Sequence, residues 1–274
     1  MAEYFLRFTL GQRILHGFLM ASFLGLVATG MPLRYADAPW AAWIAHALGG
    51  FRAMGIFHRF FALVLTGLFL THLGQITHRA WVRRESGLFW GPNSIVPQPR
   101  DLREFDETIR WFFGRGSRPI FGRFTYWEKF DYWAVFWGMA IIGTSGYLLW
   151  FHTLFSRIFP GWIFNIAFLF HSDEALLAAG FIFTIHFFNS HLRPEKFPMD
   201  LVIFTGRVTA EELKRERPAE YAVLAESGGL DALRAEPPEP WVWNVSRVIG
   251  TLGVAIGLLL FFLIVYAVLT GEGK

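Results

Sequence analysis

Histidine is the residue type that gives this chain its chemistry. The 274 residues contain nine histidines and no cysteine. An ionisable side chain is costly inside a bilayer and usually marks a functional site. Five of the nine lie within or at the ends of long apolar stretches: His16, His58, His72, His171 and His186. His46, His78 and His152 are placed where water would reach them, and His191 follows closely after the last of the five.

The spacing of these histidines predicts two levels within a membrane. His58 and His72 are 14 residues apart on one predicted helix, which places them on one face and about 21 Å apart along the axis. His171 and His186 are 15 residues apart on another helix, with nearly the same separation. Because the two helices run in the same direction, His58 shares a level with His171, and His72 shares a level with His186. His16 falls at that second, inner level.

Facing imidazoles at two levels suit two stacked b-type haems, because each haem needs two axial nitrogens from different helices. The absence of cysteine excludes Cys-ligated iron–sulfur clusters and c-type haem attachment. A zinc or non-haem iron site would instead gather its histidines at one depth. A cofactor-free core would use them only for hydrogen bonds between helices. Glycines on the same stretches, among them Gly25 and Gly146, would let a macrocycle approach the backbone.

The elements that must position these histidines are membrane spans. The chain is 54% hydrophobic and only 17% charged, against roughly 25% charged residues in soluble domains. A bilayer core needs about 20 apolar residues per helix, and five stretches qualify. The predicted spans are span 1 from Ile14 to Leu33, span 2 from Phe57 to Thr77, span 3 from Tyr132 to Phe151, span 4 from His171 to Phe188 and span 5 from Val245 to Leu269.

The distribution of Lys and Arg predicts the orientation. Twenty of the 25 lie in the N-terminal segment and in two loops, from Arg79 to Lys129 and from Arg193 to Arg247. Because cytoplasmic loops are enriched in Lys and Arg, we expect a multi-pass protein of the bacterial inner membrane. Its N-terminus is predicted to be cytoplasmic and its C-terminus periplasmic. The net charge of +3 reflects loop arginines and indicates no nucleic-acid partner.

The predicted fold class is an all-α integral membrane protein, with a four-helix haem-binding bundle and a fifth C-terminal transmembrane helix. Residues 1–200 are expected to form the bundle, with a cytoplasmic loop at 79–131. Residues 201–240 are expected to form a cytoplasmic amphipathic segment, in which Thr209 and Glu212 fit a helix capping box. Residues 241–274 carry the fifth span.

The sequence resembles the membrane cytochrome b subunits of formate dehydrogenase, nickel–iron hydrogenase and thiosulfate reductase. The resemblance covers roughly residues 10 to 215. It rests on two histidines of span 4 and on three motifs: Arg13-Ile14-Leu15-His16, Thr29-Gly30-Met31-Pro32-Leu33 and His58-Arg59. The stretch from His186 to Asp200 is similar to the cytochrome b parts of complexes that join a membrane b cytochrome to periplasmic multihaem c proteins.

This resemblance implies that His58 and His171 hold the outer haem, and that His16 and His186 hold the inner one. His72 departs from that pattern. Cytochrome b of the bc complexes uses two histidines on each of two helices, which would pair His72 with His186.

Three haems are a further alternative at the inner level. The leftover histidine would then pair with His191 or His78. The haem count, two or three, therefore stays open.

The implied function is electron transfer across the membrane. One end would be the quinone pool, with quinone or menaquinone as substrate, and the other a periplasmic multihaem c-type cytochrome or other redox subunit. Asn189, His191 and His72 are the candidate quinone contacts. Neither loop carries a nucleotide fingerprint, so substrate chemistry would lie on another subunit. The alternatives are a stand-alone quinone-linked membrane reductase and a cofactor-free membrane subunit or transporter.

Overall fold

The computed structural model describes residues 2–272, which are mostly helical. Five helices are long and apolar enough to cross a membrane: span 1 (Leu10–Arg34), span 2 (Phe51–Val82), span 3 (Tyr126–Trp150), span 4 (Trp162–Leu192) and span 5 (Pro240–Thr270). All five predicted spans are therefore present, and these apolar helices indicate a membrane protein.

Each span begins earlier than the sequence predicts, by four to nine residues. In spans 3, 4 and 5 the added residues include Tyr or Trp, as at Tyr126, Trp162 and Trp241. These residue types favour the membrane–water interface, so the helices extend past the apolar core that a hydropathy criterion detects. Residues 162–170, which precede the predicted start of span 4 at His171, belong to its helix.

Shorter elements connect the spans. The helix Pro39–Ala47 follows span 1, and the loop helix Pro99–Phe112 lies between spans 2 and 3. The remaining short helices are His152–Phe155, Val202–Thr205, Ala210–Glu216, Pro218–Glu226 and Gly229–Leu233. Three short strands, which the all-α prediction did not include, form an antiparallel sheet in the order β2-β1-β3: β1 (Tyr4–Leu6), β2 (Arg207–Thr209) and β3 (Arg234–Ala235).

Four π-turns interrupt the α-helical geometry of the spans. One ends span 2, at His78–Val82, and one lies in span 3, at Met139–Gly143. Span 4 contains two in succession, at Ile182–His186 and Phe188–Leu192. A π-turn adds one residue to a helical turn and often occurs at functional sites. These turns therefore shift which residues share a helix face.

The chain divides into two compact units that cut across the linear order of the predicted segments. The membrane unit contains residues 14–72, 135–200 and 248–274. Its buried apolar core is built from spans 1, 4 and 5, with Val27, Phe183 and Ile264 among its members. All six predicted haem-binding histidines belong to this unit.

The second unit gathers residues 1–13, 73–134 and 201–247. Its small core forms where the sheet meets the short helices, around Phe5, Val208 and Leu213. Thr209 caps the helix Ala210–Glu216 by accepting a hydrogen bond from the Glu212 amide at 3.2 Å. That half of the predicted capping box is therefore present.

Candidate haem site

His58 on span 2 is held by three residues of span 1. Thr29 Oγ1 lies 3.0 Å from His58 Nδ1, and the Leu26 carbonyl also forms a hydrogen bond with the His58 ring. A Cβ added to Gly30 would lie only 2.9 Å from His58 Cε1. Glycine at position 30 therefore lets the imidazole lie directly against the helix backbone. We call Leu26, Thr29 and Gly30 the span 1 grip.

His171 on span 4 is held in the same way by span 3. The Ile142 carbonyl lies 2.9 Å from His171 Nδ1, and Ser145 Oγ lies 3.4 Å from the same nitrogen. A Cβ added to Gly146 would lie 2.9 Å from His171 Cε1. Ile142 belongs to the π-turn of span 3, where the regular helical hydrogen-bond pattern is interrupted. We call Ile142, Ser145 and Gly146 the span 3 grip.

The hydroxyl groups of the two grips determine the tautomer of both histidines. Thr29 Oγ1 donates to the Gly25 carbonyl at 2.7 Å, and Ser145 Oγ donates to the Ile141 carbonyl at 2.6 Å. A hydroxyl that donates to these carbonyls acts as an acceptor toward the imidazole, and the Ile142 carbonyl beside His171 Nδ1 can only accept. Both rings therefore carry their proton on Nδ1, which leaves Nε2 with the lone pair that a metal ligand needs.

The geometry of the two rings fits one iron held between them. Their centroids lie 6.2 Å apart, with the ring planes 82° from each other. Metal–imidazole nitrogen bonds are about 2.0 Å long, and each coordinating nitrogen lies about 1.1 Å from its ring centroid. Two rings on opposite sides of one metal are thus expected about 6.2 Å apart. Edge-to-face ring packing also allows this distance, but it gives no reason for both Nδ1 atoms to be held.

At the inner level the structure brings together His16, His186 and His191. His16 interacts electrostatically with both of the others, and the rings of His186 and His191 lie 6.4 Å apart. The last two share span 4, so a macrocycle cannot pass between them without meeting the helix backbone. A haem at this level would therefore take one ligand from span 4 and the other from a different span, as His16 on span 1 provides.

The π-turns of span 4 decide which histidines share a face. In a continuous α-helix, 15 residues would turn His186 about 60° past His171. The π-turn Ile182–His186 absorbs one residue, which makes the spacing equivalent to 14 α-helical residues, as between His58 and His72 on span 2. The sequence predicts equivalent spacings for the His58–His72 and His171–His186 pairs. That equivalence depends on a π-turn, which the sequence pattern does not predict.

The remaining candidate residues belong neither to the His58–His171 pair nor to the inner group of three histidines. The His72 ring lies 6.4 Å from the ring of Phe136 on span 3. Asn189 is half-buried in the same π-turn as His191. His78 belongs to the second unit, whereas the six candidate histidines belong to the membrane unit. His152 is exposed.

Two arginines of spans 1 and 2 have protein partners on other spans. Arg34 Nη2 lies 2.8 Å from Asp173 Oδ1. The Arg59 guanidinium lies 5.5 Å from the centre of the Trp150 ring, an attractive cation–π geometry. Arg34 therefore links span 1 to span 4, and Arg59 links span 2 to span 3.

Residues 2–272 contain no group of three or more His, Cys, Asp or Glu side chains placed to hold a metal ion. A zinc or non-haem iron site needs several ligands at one point. A bis-histidine haem takes only two protein ligands, so a pair such as His58 and His171 is the arrangement it requires.

Sequence reasoning identified the histidines but not the groups that hold them. Thr29 and Ser145 were not recognised as partners of His58 and His171. A signal is present in the sequence: a hydroxyl residue followed by glycine, with an aliphatic residue three positions earlier, occurs in both span 1 and span 3. Compared with known proteins, the chain matches neither a protein-family model nor a curated sequence.

Proposed function

We propose that the chain is a b-type cytochrome membrane subunit, which carries electrons across the inner membrane between the quinone pool and a periplasmic redox partner. The observation that carries this proposal is the His58–His171 pair, with ring centroids 6.2 Å apart and both Nδ1 atoms engaged by matching grips. These two residues would hold the outer haem.

When bound, haem b supplies a one-electron Fe(III)/Fe(II) couple. Thr29 and the Ile142 carbonyl would orient the His58 and His171 rings that hold this group, and the surrounding apolar spans would exclude water. At the inner level, we assign His16 and His186 as the pair, supported by their electrostatic interaction and their position on different spans. A third haem would instead give His72 or His191 a ligand role.

The quinone site is proposed beside the inner level. A quinol releases two protons together with its two electrons, so its head group needs polar partners. His191 is 8% exposed, and its Nδ1 forms no hydrogen bond within the described part of the chain. It also interacts electrostatically with Asp200. His191 Nδ1 is thus available to a quinone oxygen or proton, with Asn189 in the same π-turn as a second contact.

Haem per polypeptide is the measurement that tests the proposal. A pyridine haemochrome assay on the purified chain should give two haems, and His58→Leu and His171→Leu should each remove the same single haem. The exposed His152 provides a matched control, since His152→Leu should retain both haems. A wild-type chain without haem would overturn the proposal in favour of a cofactor-free membrane subunit.

The periplasmic partner is tested separately by purification from native membranes. Co-purification with a c-type cytochrome or another redox subunit supports the electron conduit. A haem-containing chain that oxidises quinol without any partner would favour the stand-alone reductase instead.

A further inference from the structure

Spans 1 and 2 repeat the arrangement of spans 3 and 4. In each pair, the first helix presents a carbonyl, then a hydroxyl three residues later and a glycine four residues later, all to one histidine of the second helix. Residues three and four positions apart lie on the same helix face, so each grip is a continuous patch. In both grips, a Cβ added to the glycine would lie 2.9 Å from Cε1 of the histidine.

We infer that Thr29 and Ser145 are positioning residues for the two axial histidines of the outer haem. Each accepts from Nδ1–H, which fixes the tautomer and the ring plane and raises the electron density on Nε2. A more electron-rich ligand stabilises ferric iron and lowers the midpoint potential of the haem. This inference rests on the proposed function, because it concerns the same pair of histidines.

The hydroxyl–imidazole hydrogen bonds of the two grips differ in length, and this difference predicts which substitution has the larger effect. Thr29 lies 3.0 Å from its histidine nitrogen, whereas Ser145 lies 3.4 Å away and leaves the closer contact, 2.9 Å, to the Ile142 carbonyl. Loss of the Thr29 hydroxyl should therefore perturb the outer haem more than loss of the Ser145 hydroxyl.

Thr29→Val is the decisive variant, because valine keeps the shape and removes the acceptor. In the full-length haem-loaded protein, redox titration should show one of the two midpoint potentials moved to a more positive value. The low-spin EPR signal of that haem should change, and the haem count should stay at two. Thr29→Ser should restore the wild-type values, and Ser145→Ala should give a smaller shift of the same potential.

Ser22 provides the matched control for a lost hydroxyl. It is buried on span 1 and donates to the Phe18 carbonyl at 2.8 Å, as Thr29 does to Gly25, but it forms no hydrogen bond with a histidine in the described part of the chain. Ser22→Ala should leave both potentials unchanged. Unchanged potentials and EPR in Thr29→Val, or an equal shift in Ser22→Ala, would overturn the positioning role. Absence of haem from the wild-type chain would instead overturn the proposed function.

A second, independent observation concerns the loop helix Pro99–Phe112. Four of its apolar side chains form one exposed stripe, which Phe113 continues: Leu102, Phe105, Ile109 and Phe112. Trp111 lies on the opposite side of the helix. Leu102 and Phe112 are each 75% exposed. Charged residues, including Arg103 and Arg110, occupy the other exposed side. An exposed apolar stripe of this kind on a folded helix indicates a binding surface.

The side of the loop helix next to this stripe is fixed to the beginning of span 3, and the stripe residue Phe105 takes part in the contact. Asp101 accepts from Lys129 Nζ at 2.7 Å, and Lys129 is 1% exposed. The rings of Phe105 and Tyr126 lie 5.5 Å apart. Tyr126 and Lys129 belong to the first turn of a candidate membrane span. The loop helix is therefore held at the level where the chain enters the bilayer.

We propose that the exposed stripe of the loop helix inserts into the lipid surface at the start of span 3. Amphipathic helices with aromatic and aliphatic side chains on one face lie in the interface with that face buried in the headgroup–acyl boundary. The anchoring to span 3 favours lipid over a soluble partner, because it places the stripe beside the bilayer without any further assembly.

The absence of cysteine makes this testable with single introduced thiols. Phe112 and Arg103 are nine residues apart, which places them on opposite sides of the helix. A fluorescent probe attached to Phe112→Cys, in the full chain reconstituted in lipid vesicles, should be quenched by nitroxide-labelled lipids and shielded from aqueous iodide. The same probe on Arg103→Cys should show the reverse. Iodide access at both positions would overturn the proposal, and shielding from both quenchers at position 112 would assign the stripe to a protein partner or a second copy.

Discussion

At the residue scale, the two grips show how little space separates each histidine from the helix that holds it. A methyl group at position 146 would lie 2.9 Å from His171 Cε1, which is closer than carbon atoms pack. A ring that is free to swing can move by a few tenths of an ångström. A ring that is bound to iron cannot move in this way. Replacement of Gly146 by alanine therefore distinguishes a free His171 ring from one that is bound to iron.

Gly146→Ala should therefore lose the outer haem while the chain still folds. Alanine is better than glycine in a helix interior by roughly 0.5–1 kcal/mol, so a weakened helix would not explain the loss. The measurement is haem per polypeptide together with the amount of folded protein extracted from membranes. Gly180→Ala on span 4 is the control, because nothing lies within 4 Å of its added Cβ. Full haem retention in Gly146→Ala would show that the His171 ring is not fixed.

The sequence predicted the histidines of the candidate site more fully than their surroundings. An imidazole in an apolar stretch is conspicuous by residue type alone. A threonine or serine in a membrane helix is common, and its usual partner is a carbonyl of its own helix, as for Ser22. Only the packing of span 1 on span 2 shows that Thr29 also contacts a histidine 29 residues later.

At the element scale, the π-turns are the main difference from the sequence analysis. Hydrophobic patterning detects a helix by its period, and one added residue in a turn scarcely changes that pattern. The π-turn Ile182–His186 nevertheless sets the direction of His186 relative to His171. The sequence predicts span 4 and its two histidines, but it does not determine their relative rotation.

Deletion of Thr184 tests the role of this π-turn. Removing one residue should leave 14 α-helical residues between His171 and His186, so a continuous α-helix keeps His186 in its present direction. The deletion variant should therefore retain both haems. An alanine inserted after Thr184 should instead turn His186 by about 100° relative to His171, so the inner haem should be lost and the haem count should fall from two to one. Loss of the inner haem in the deletion variant, or two haems in the insertion variant, would contradict this role of the π-turn.

The loop helix leads to a pH-dependent prediction. Burial, and then the neighbouring Asp101 carboxylate, raise the pKa of Glu104 above its ordinary value. One of its carboxylate oxygens is buried without a hydrogen bond among the described residues. Because the folded state binds this proton more tightly than the unfolded state, Glu104 adds stability as the pH falls through its raised pKa. Above that pKa the contribution is lost.

Glu104→Gln should therefore raise the melting temperature at neutral pH and remove this part of its pH dependence. Thermal unfolding between about pH 7 and about pH 5 measures the effect. Asp106→Asn on the exposed side of the same helix is the control, and it should leave the wild-type dependence in place. A Glu104→Gln variant with the wild-type pH dependence would show that another group is responsible.

At the scale of the whole molecule, sequence reasoning recovered the five spans in order but not the second unit. That unit is assembled from three distant segments of the chain. Strand β1 has three residues, and its partners in β2 lie about 200 positions later. Such short strands carry no periodic signal, and their pairing depends on the closure of long loops. A linear division of the chain cannot represent a unit of this kind.

Buried charges join the three segments of the second unit. Arg7 Nη1 donates to Glu220 Oε2 at 2.6 Å, and both side chains are less than a tenth exposed. Glu220 also pairs with Arg123 at 2.8 Å, and Arg7 also donates to the Arg123 carbonyl. Burial lowers the pKa of Arg7, which indicates that its charge depends on these partners. The cluster thus ties the N-terminal strand to the loop between spans 2 and 3 and to the segment before span 5.

Glu220→Gln should destabilise the second unit strongly, because it leaves the Arg7 charge buried without its carboxylate. Breaking one side of a buried ion pair typically costs about 3–5 kcal/mol, whereas an exposed pair is worth about 0–1 kcal/mol. Glu85→Gln is the exposed control, since its partner Arg79 is nearly half exposed. Thermal unfolding of the extracted protein should give a much lower melting temperature for Glu220→Gln than for Glu85→Gln.

The double variant Arg7→Met with Glu220→Leu should recover part of the lost stability, because it removes both charges. Equal melting temperatures for Glu220→Gln and Glu85→Gln would mean that the buried pair does not hold the segments together.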